Sequence, residues 1–186
     1  MSPAHGTKHL IPTTPPEAAL ARSQAFLARL LTEPAAMAAF AGDPLANGQA
    51  AGLEVSEVTE LAQRLPQLQL FARSLVNKRR RIARRILPLS AAALDGRFDE
   101  AFDRYAAMPL DADAGAGKYR QDAWLFAGFL LEELPRGKVR TMVRYERFAL
   151  APLCSPRRWG LAVFGAPMWA MGGWVRGHAV RLWLWR

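Results

Sequence analysis

Leu68-Gln-Leu-Phe71-Ala-Arg-Ser-Leu75-Val-Asn-Lys78-Arg-Arg-Arg81-Ile82-Ala-Arg84-Arg85-Ile86-Leu-Pro88 is the segment with the plainest periodicity in this chain. Leu68, Phe71, Leu75, Ile82 and Ile86 recur at helical spacing, with Ala72, Val76 and Ala83 beside them. Arg73, Lys78, Arg80, Arg81, Arg84 and Arg85 fall on the opposite side. The pattern predicts an amphipathic helix that buries its apolar stripe and shows cations to solvent. Pro88 ends it, because a proline drives the residue before it out of helical geometry.

Helical signals continue on both sides. Upstream, Ala19, Leu20, Phe26, Leu27, Leu30 and Leu31 predict a helix from about Pro16 to Glu33-Pro34. A short helix carries Met37 and Phe40 as far as Gly42-Asp43-Pro44. A loop is expected from Asn47-Gly48 to Gly52, and Ser56 is the expected N-cap of the next helix. Downstream, a short helix from near Ser90 should stop at Asp95-Gly96. Phe98, Phe102 and Tyr105 mark another helix, and Asp111 to Gly117 reads as a flexible loop. Ala123, Phe126, Ala127, Leu130 and Leu134 share one face of a helix over 119–134. Pro135-Arg136-Gly137 is a turn, and Val139, Met142 and Val143 open a last helix to about Leu150.

From Ala151 to Arg186 there is no acidic residue, and five of the six tryptophans lie there: Trp159, Trp169, Trp174, Trp183 and Trp185. Trp159–Phe164 and Val180–Trp185 predict strands, with Gly and Pro residues as turns between them. Trp159 to Val175 holds 17 residues without a charge. A transmembrane helix needs roughly 20, and the glycines and Pro167 in the run favour strands and turns instead. The expected fold is therefore mainly α: a disordered tail over 1–16, a helical domain over 17–135, and a helix plus short β-strands over 136–186.

The net charge of +9 draws anionic partners. A single cysteine, Cys154, rules out an intrachain disulfide, and the proline-rich start of the chain lacks the apolar core of a signal peptide. A cytoplasmic location is expected. No catalytic set is legible. His5, His9 and His178 are too scattered for a metal site, and Cys154 and Ser155 have no evident base. Asp99-Glu100, Asp122 and Glu132-Glu133 read as solvated helix faces. The expectation is a non-enzyme with no metal and no cofactor.

Two binding surfaces stand out instead. One is the basic face, Lys78, Arg80, Arg81, Arg84 and Arg85, suited to docking an acidic partner or phosphates. The other is the tryptophan-rich tail, where Trp159, Leu161, Val163, Phe164, Arg181, Trp183 and Trp185 are candidates for capturing a peptide as an added strand. An uncovered apolar edge is a liability unless something pairs with it.

Phe71 to Leu89, continuing through Gly96-Arg-Phe-Asp-Glu-Ala-Phe-Asp-Arg-Tyr105, and Val143-Arg-Tyr-Glu-Arg147 leading into strands together resemble the partner proteins of multinuclear non-heme iron-dependent oxidases that modify ribosomally made peptides. The resemblance implies a helical domain with a small β-containing module. It also implies a leader peptide as ligand, and docking on an oxidase subunit in a heterodimer or larger assembly, with the iron held by that partner. Two rival expectations are a basic nucleic-acid-binding regulator and a peripheral membrane protein anchored by the C-terminal segment.

Overall fold

A computed structural model describes residues 16–108, 118–165, 170–176, 178 and 180–184. The expected N-terminal tail and the 111–117 loop lie outside the described residues. Nine helices precede three strands among those described: α1 Pro16–Thr32, α2 Pro34–Gly42, α3 Pro44–Ala50, α4 Val55–Gln63, α5 Leu65–Ile86, α6 Pro88–Leu94, α7 Gly96–Ala106, α8 Lys118–Glu133, α9 Lys138–Cys154, β1 Trp159–Phe164, β2 Ala170–Val175 and β3 Arg181–Leu184. The chain is mainly α with a small β module at its C-terminal end. No helix among the described residues is long and apolar enough to cross a membrane.

Prolines set the helix starts. Pro34, Pro44, Pro66 and Pro88 each stand in the first turn of a helix, where a missing N–H leaves nothing unsatisfied. Gly42-Asp43-Pro44 is thus less a break than a hinge between helices, with the Asp43 carboxylate accepting from the Ala46 N–H at 3.0 Å. The loop expected from Asn47-Gly48 is instead the body of α3. Gly48 sits there because α4 crosses it so closely that a Cβ would stand 2.3 Å from Val58. Nor is Ser56 the cap of α4. Glu54 holds that position, and the Glu57 carboxylate accepts from its N–H at 2.9 Å.

Two cores flank α5. The first buries Phe26, Leu30, Met37, Phe40, Leu53 and Val58, with Phe26 edge-on to Phe40 at 5.5 Å. Leu65, Leu68 and Ala72 of α5 close it. The second centres on Phe126, whose ring lies 5.2, 5.0 and 5.3 Å from Phe98, Phe102 and Tyr105. Ala83 and Leu87 reach it from the end of α5, and Val143 reaches it from α9. The boundary expected at residue 136 therefore falls inside one packed unit, because α9 belongs to the second helical core. The β module proper begins after Ser155.

α5 is rotated from the orientation that its large apolar stripe predicts. Ala83 is buried and Ala72, Leu68 and Ile86 pack against the cores, while Phe71 is exposed and Leu75 and Ile82 are only half-buried. Small residues let neighbouring helices approach closely, and the rotation carries three arginines toward carboxylates on α7 and α8.

α6 is held across the fold. Glu146 of α9 is buried and accepts from the Leu89 N–H at 2.7 Å, the Ser90 N–H at 2.9 Å and the Ser90 hydroxyl. α6 has no cap of its own, so a carboxylate 56 residues away satisfies the free amides of its first turn.

Candidate functional site

The sheet has the order β1-β2-β3, antiparallel throughout. The strands expected at Trp159–Phe164 and within Val180–Trp185 are therefore its two edges. Between them lies a strand that the glycines concealed: Gly172 and Gly173, read as turn residues, are central in β2. Alternation sorts the side chains into two faces. On the inner face Phe164 is 1% exposed, edge-on to Tyr145 at 5.6 Å and Phe148 at 5.5 Å on α9. Trp174 lies over Gly160, where a Cβ would come within 2.6 Å of the indole nitrogen. On the outer face Trp159 is 63% exposed, Leu161 70% and Val163 57%. Met171 and Val175 stand opposite Val163 and Trp159 in register and extend this apolar surface.

This arrangement divides the expected tail residues. Trp159, Leu161 and Val163 are together on the exposed face of a strand that is at the edge among the described residues. Phe164 is corrected: the odd–even parity of β1 turns it inward, where it anchors the sheet to α9 rather than meeting a ligand. Arg181 is exposed opposite Gly173, and Trp183 stands in register with Met171. Trp185 lies outside the described residues.

The basic face of α5 is divided too. Arg79 is clasped by Asp122, with Nε and Nη2 each donating at 2.9 Å, and the Tyr105 hydroxyl donates to the same carboxylate at 2.8 Å. Asp122, expected on a solvated face, is 7% exposed. Burial, then the Asp122 charge and hydrogen bond, push the Tyr105 phenol well above its ordinary pKa. Arg80 donates to Asp103 at 3.1 Å, and Arg84 donates to Asp99 at 2.9 Å. Arg80 and Arg84 are therefore corrected as docking residues, since both are half-buried and committed to α7. Lys78, Arg81 and Arg85 remain exposed.

The charge of the molecule lies elsewhere. Residues 138–186 hold nine basic residues and one acidic residue, Glu146, so eight of the nine net positive charges fall in α9 and the segment after it. Arg157, Arg158, Arg176 and Arg181 are all exposed. Arg158, Arg176 and Arg181 gather at one end of the sheet, where the Arg176 N–H donates to the Arg158 carbonyl. The remaining polar groups are quiet. Burial raises the Cys154 thiol pKa, against the pull of Arg120, which keeps it protonated at neutral pH. His178 is exposed in the β2–β3 turn.

Residues 65–132, running from the start of α5 almost to the end of α8, match the family model described as SCO6045-like, C-terminal domain. The match stops short of α9 and the sheet. No curated protein and no solved structure matches the chain.

Proposed function

We propose that this chain is a non-catalytic partner protein that captures a precursor's leader peptide and docks it on an iron-dependent peptide-modifying oxidase. The observation that carries the reading is β1: an edge strand, paired on one side only among the described residues, with three exposed apolar side chains, Trp159, Leu161 and Val163, on one face. A peptide laid beside it gains main-chain hydrogen bonds, and every second side chain meets that apolar surface. The arginines at one end of the sheet favour an acidic peptide. Lys78, Arg81 and Arg85 supply a separate cationic face for the oxidase. The oxidase itself enters through the resemblance of the 71–105 and 143–147 segments. In this reading the chain is cytoplasmic and needs no cofactor of its own.

The test is co-purification with a multinuclear iron oxidase and its precursor peptide. A complex should form at micromolar concentration, and Trp159→Ala with Leu161→Ser should weaken peptide capture at least tenfold while leaving the oxidase contact intact. No complex at that concentration would overturn the proposal. Nucleic-acid binding that falls steeply with salt would favour the regulator reading. Flotation with anionic vesicles would favour a membrane-surface role.

A further inference from the structure

Arg147 of α9 lies over α8, its guanidinium 4.5 Å from the centre of the Trp124 ring. Gly128, one turn further along α8, gives it the room. A Cβ there would stand 3.2 Å from Nη2, 3.3 Å from Cζ and 3.4 Å from Nε, so it is the flat face of the group that rests on the helix. Nε is buried, with no hydrogen-bond acceptor in reach. Glu132 acts on the guanidinium through its charge. Burial lowers the Arg147 pKa, the reverse of what a paired arginine shows.

Two other inward guanidiniums among the described residues are matched. Arg79 has Asp122, and Arg140 donates to the Leu131 and Leu134 carbonyls at the end of α8. After Glu133 the only carboxylate side chain is Glu146, and α6 takes it. A guanidinium seated on an indole, its Nε without an acceptor among the described residues, is a preorganised fork for a planar anion. A single fork suits a carboxylate, whose two oxygens it meets side by side; phosphate sites assemble donors from several directions.

We propose that Arg147, seated on Trp124 and Gly128, is a receptor for a carboxylate supplied from outside the chain. The site does not depend on strand capture at β1. The carboxylate comes either from a small free acid or from an acidic side chain of a bound polypeptide, and the two are separable by experiment.

The full chain, labelled with nitrogen-15, gives an Nε–Hε resonance for Arg147 that is assigned by its loss in Arg147→Lys. Sodium acetate should move that resonance, with an affinity on the order of millimolar, while sodium chloride at equal ionic strength should not. A short peptide bearing one glutamate should act at about tenfold lower concentration if the source is a polypeptide, and its glutamine counterpart should not act. Equal effects of acetate and the glutamate peptide would assign the site to free acids. Arg147→Lys keeps the charge and removes the fork, so loss of the carboxylate-induced shift of the Trp124 indole N–H in that variant, with backbone amide shifts unchanged away from α8 and α9, supports the proposal. No movement with either carboxylate, or equal movement with chloride, would overturn it. Strand capture has a different signature, in the backbone amides of Trp159–Phe164.

Discussion

In α5 the inward arginines meet aspartates: Arg79 with Asp122, Arg80 with Asp103, Arg84 with Asp99. In α9 they meet a ring and carbonyls: Arg147 over Trp124 at 4.5 Å, Arg140 against the end of α8. The same side chain thus serves as a clasp in one region and as an unneutralised donor in the other. A run of basic residues does not by itself locate a molecule's positive field. Local charge balance does, and it puts the field on α9 and the sheet rather than on the helix with the most arginines.

The sharpest way to break this contrast is to remove the clasp. Asp122→Ala leaves the Arg79 guanidinium buried without a partner and should cost about 3–5 kcal/mol of folding stability in urea denaturation. Phe164→Ala should cost about 3 kcal/mol or more by the same measure, since it hollows the α9–sheet contact. Its β1 neighbours on the other face are the control: Leu161→Ser and Val163→Ser should change stability by no more than about 0.5 kcal/mol. A large loss there would mean that the outer face is structural and not a binding surface.

Next in size is Glu146→Ala, which strips the acceptor from two amides and a hydroxyl and should cost about 2–3 kcal/mol. Arg84→Ala should lose about 1 kcal/mol or less, because its partner Asp99 is well exposed and solvent screens the pair. A larger loss would show the α5–α7 clasps to be as structural as the buried one. The smallest effect concerns Glu57, whose carboxyl is held below its ordinary pKa by the Ser23 hydroxyl and then by the Glu54 N–H. A depressed carboxylate contributes stability above its unfolded-state pKa and loses it as pH falls through the folded-state value. Ser23→Ala should therefore move the Glu57 titration upward, read by side-chain NMR, with little change in neutral-pH stability.

Much of the architecture could be read from residue order. The helices carrying Phe26, Phe98 and Phe126 follow from apolar spacing, and prolines mark the starts of α2, α3, α5 and α6. The rotation of α5 could not be read. Large Leu75 and Ile82 outweigh Ala72 and Ala83 in any hydrophobic pattern, yet close packing and three distant aspartates select the side with the alanines. β2 was hidden for a related reason. Gly172 and Gly173 resemble a turn until β1 and β3 pair on either side of them. For the candidate surface, the strand-like run 159–164 located Trp159, Leu161 and Val163, with Phe164 among them. The parity of β1 puts Phe164 on the opposite face, and α9 beneath the sheet decides that this face is the buried one. Arg147 carried no signal of its own, since its seat is made by Trp124 and Gly128 on another helix.

The carboxylate that α9 lends to α6 also orders events in time. A seven-residue helix has too little length to persist alone in water. Its first turn finds its acceptor only when residue 146 arrives, 56 positions after Ser90. On a chain emerging from the ribosome, α1 to α4 and the first turns of α5 can close their core around Phe40 while α6 still waits for its clamp. The second core then assembles late and nearly at once, when α9 settles against α6 and α8 and brings with it the helix on which the sheet is built.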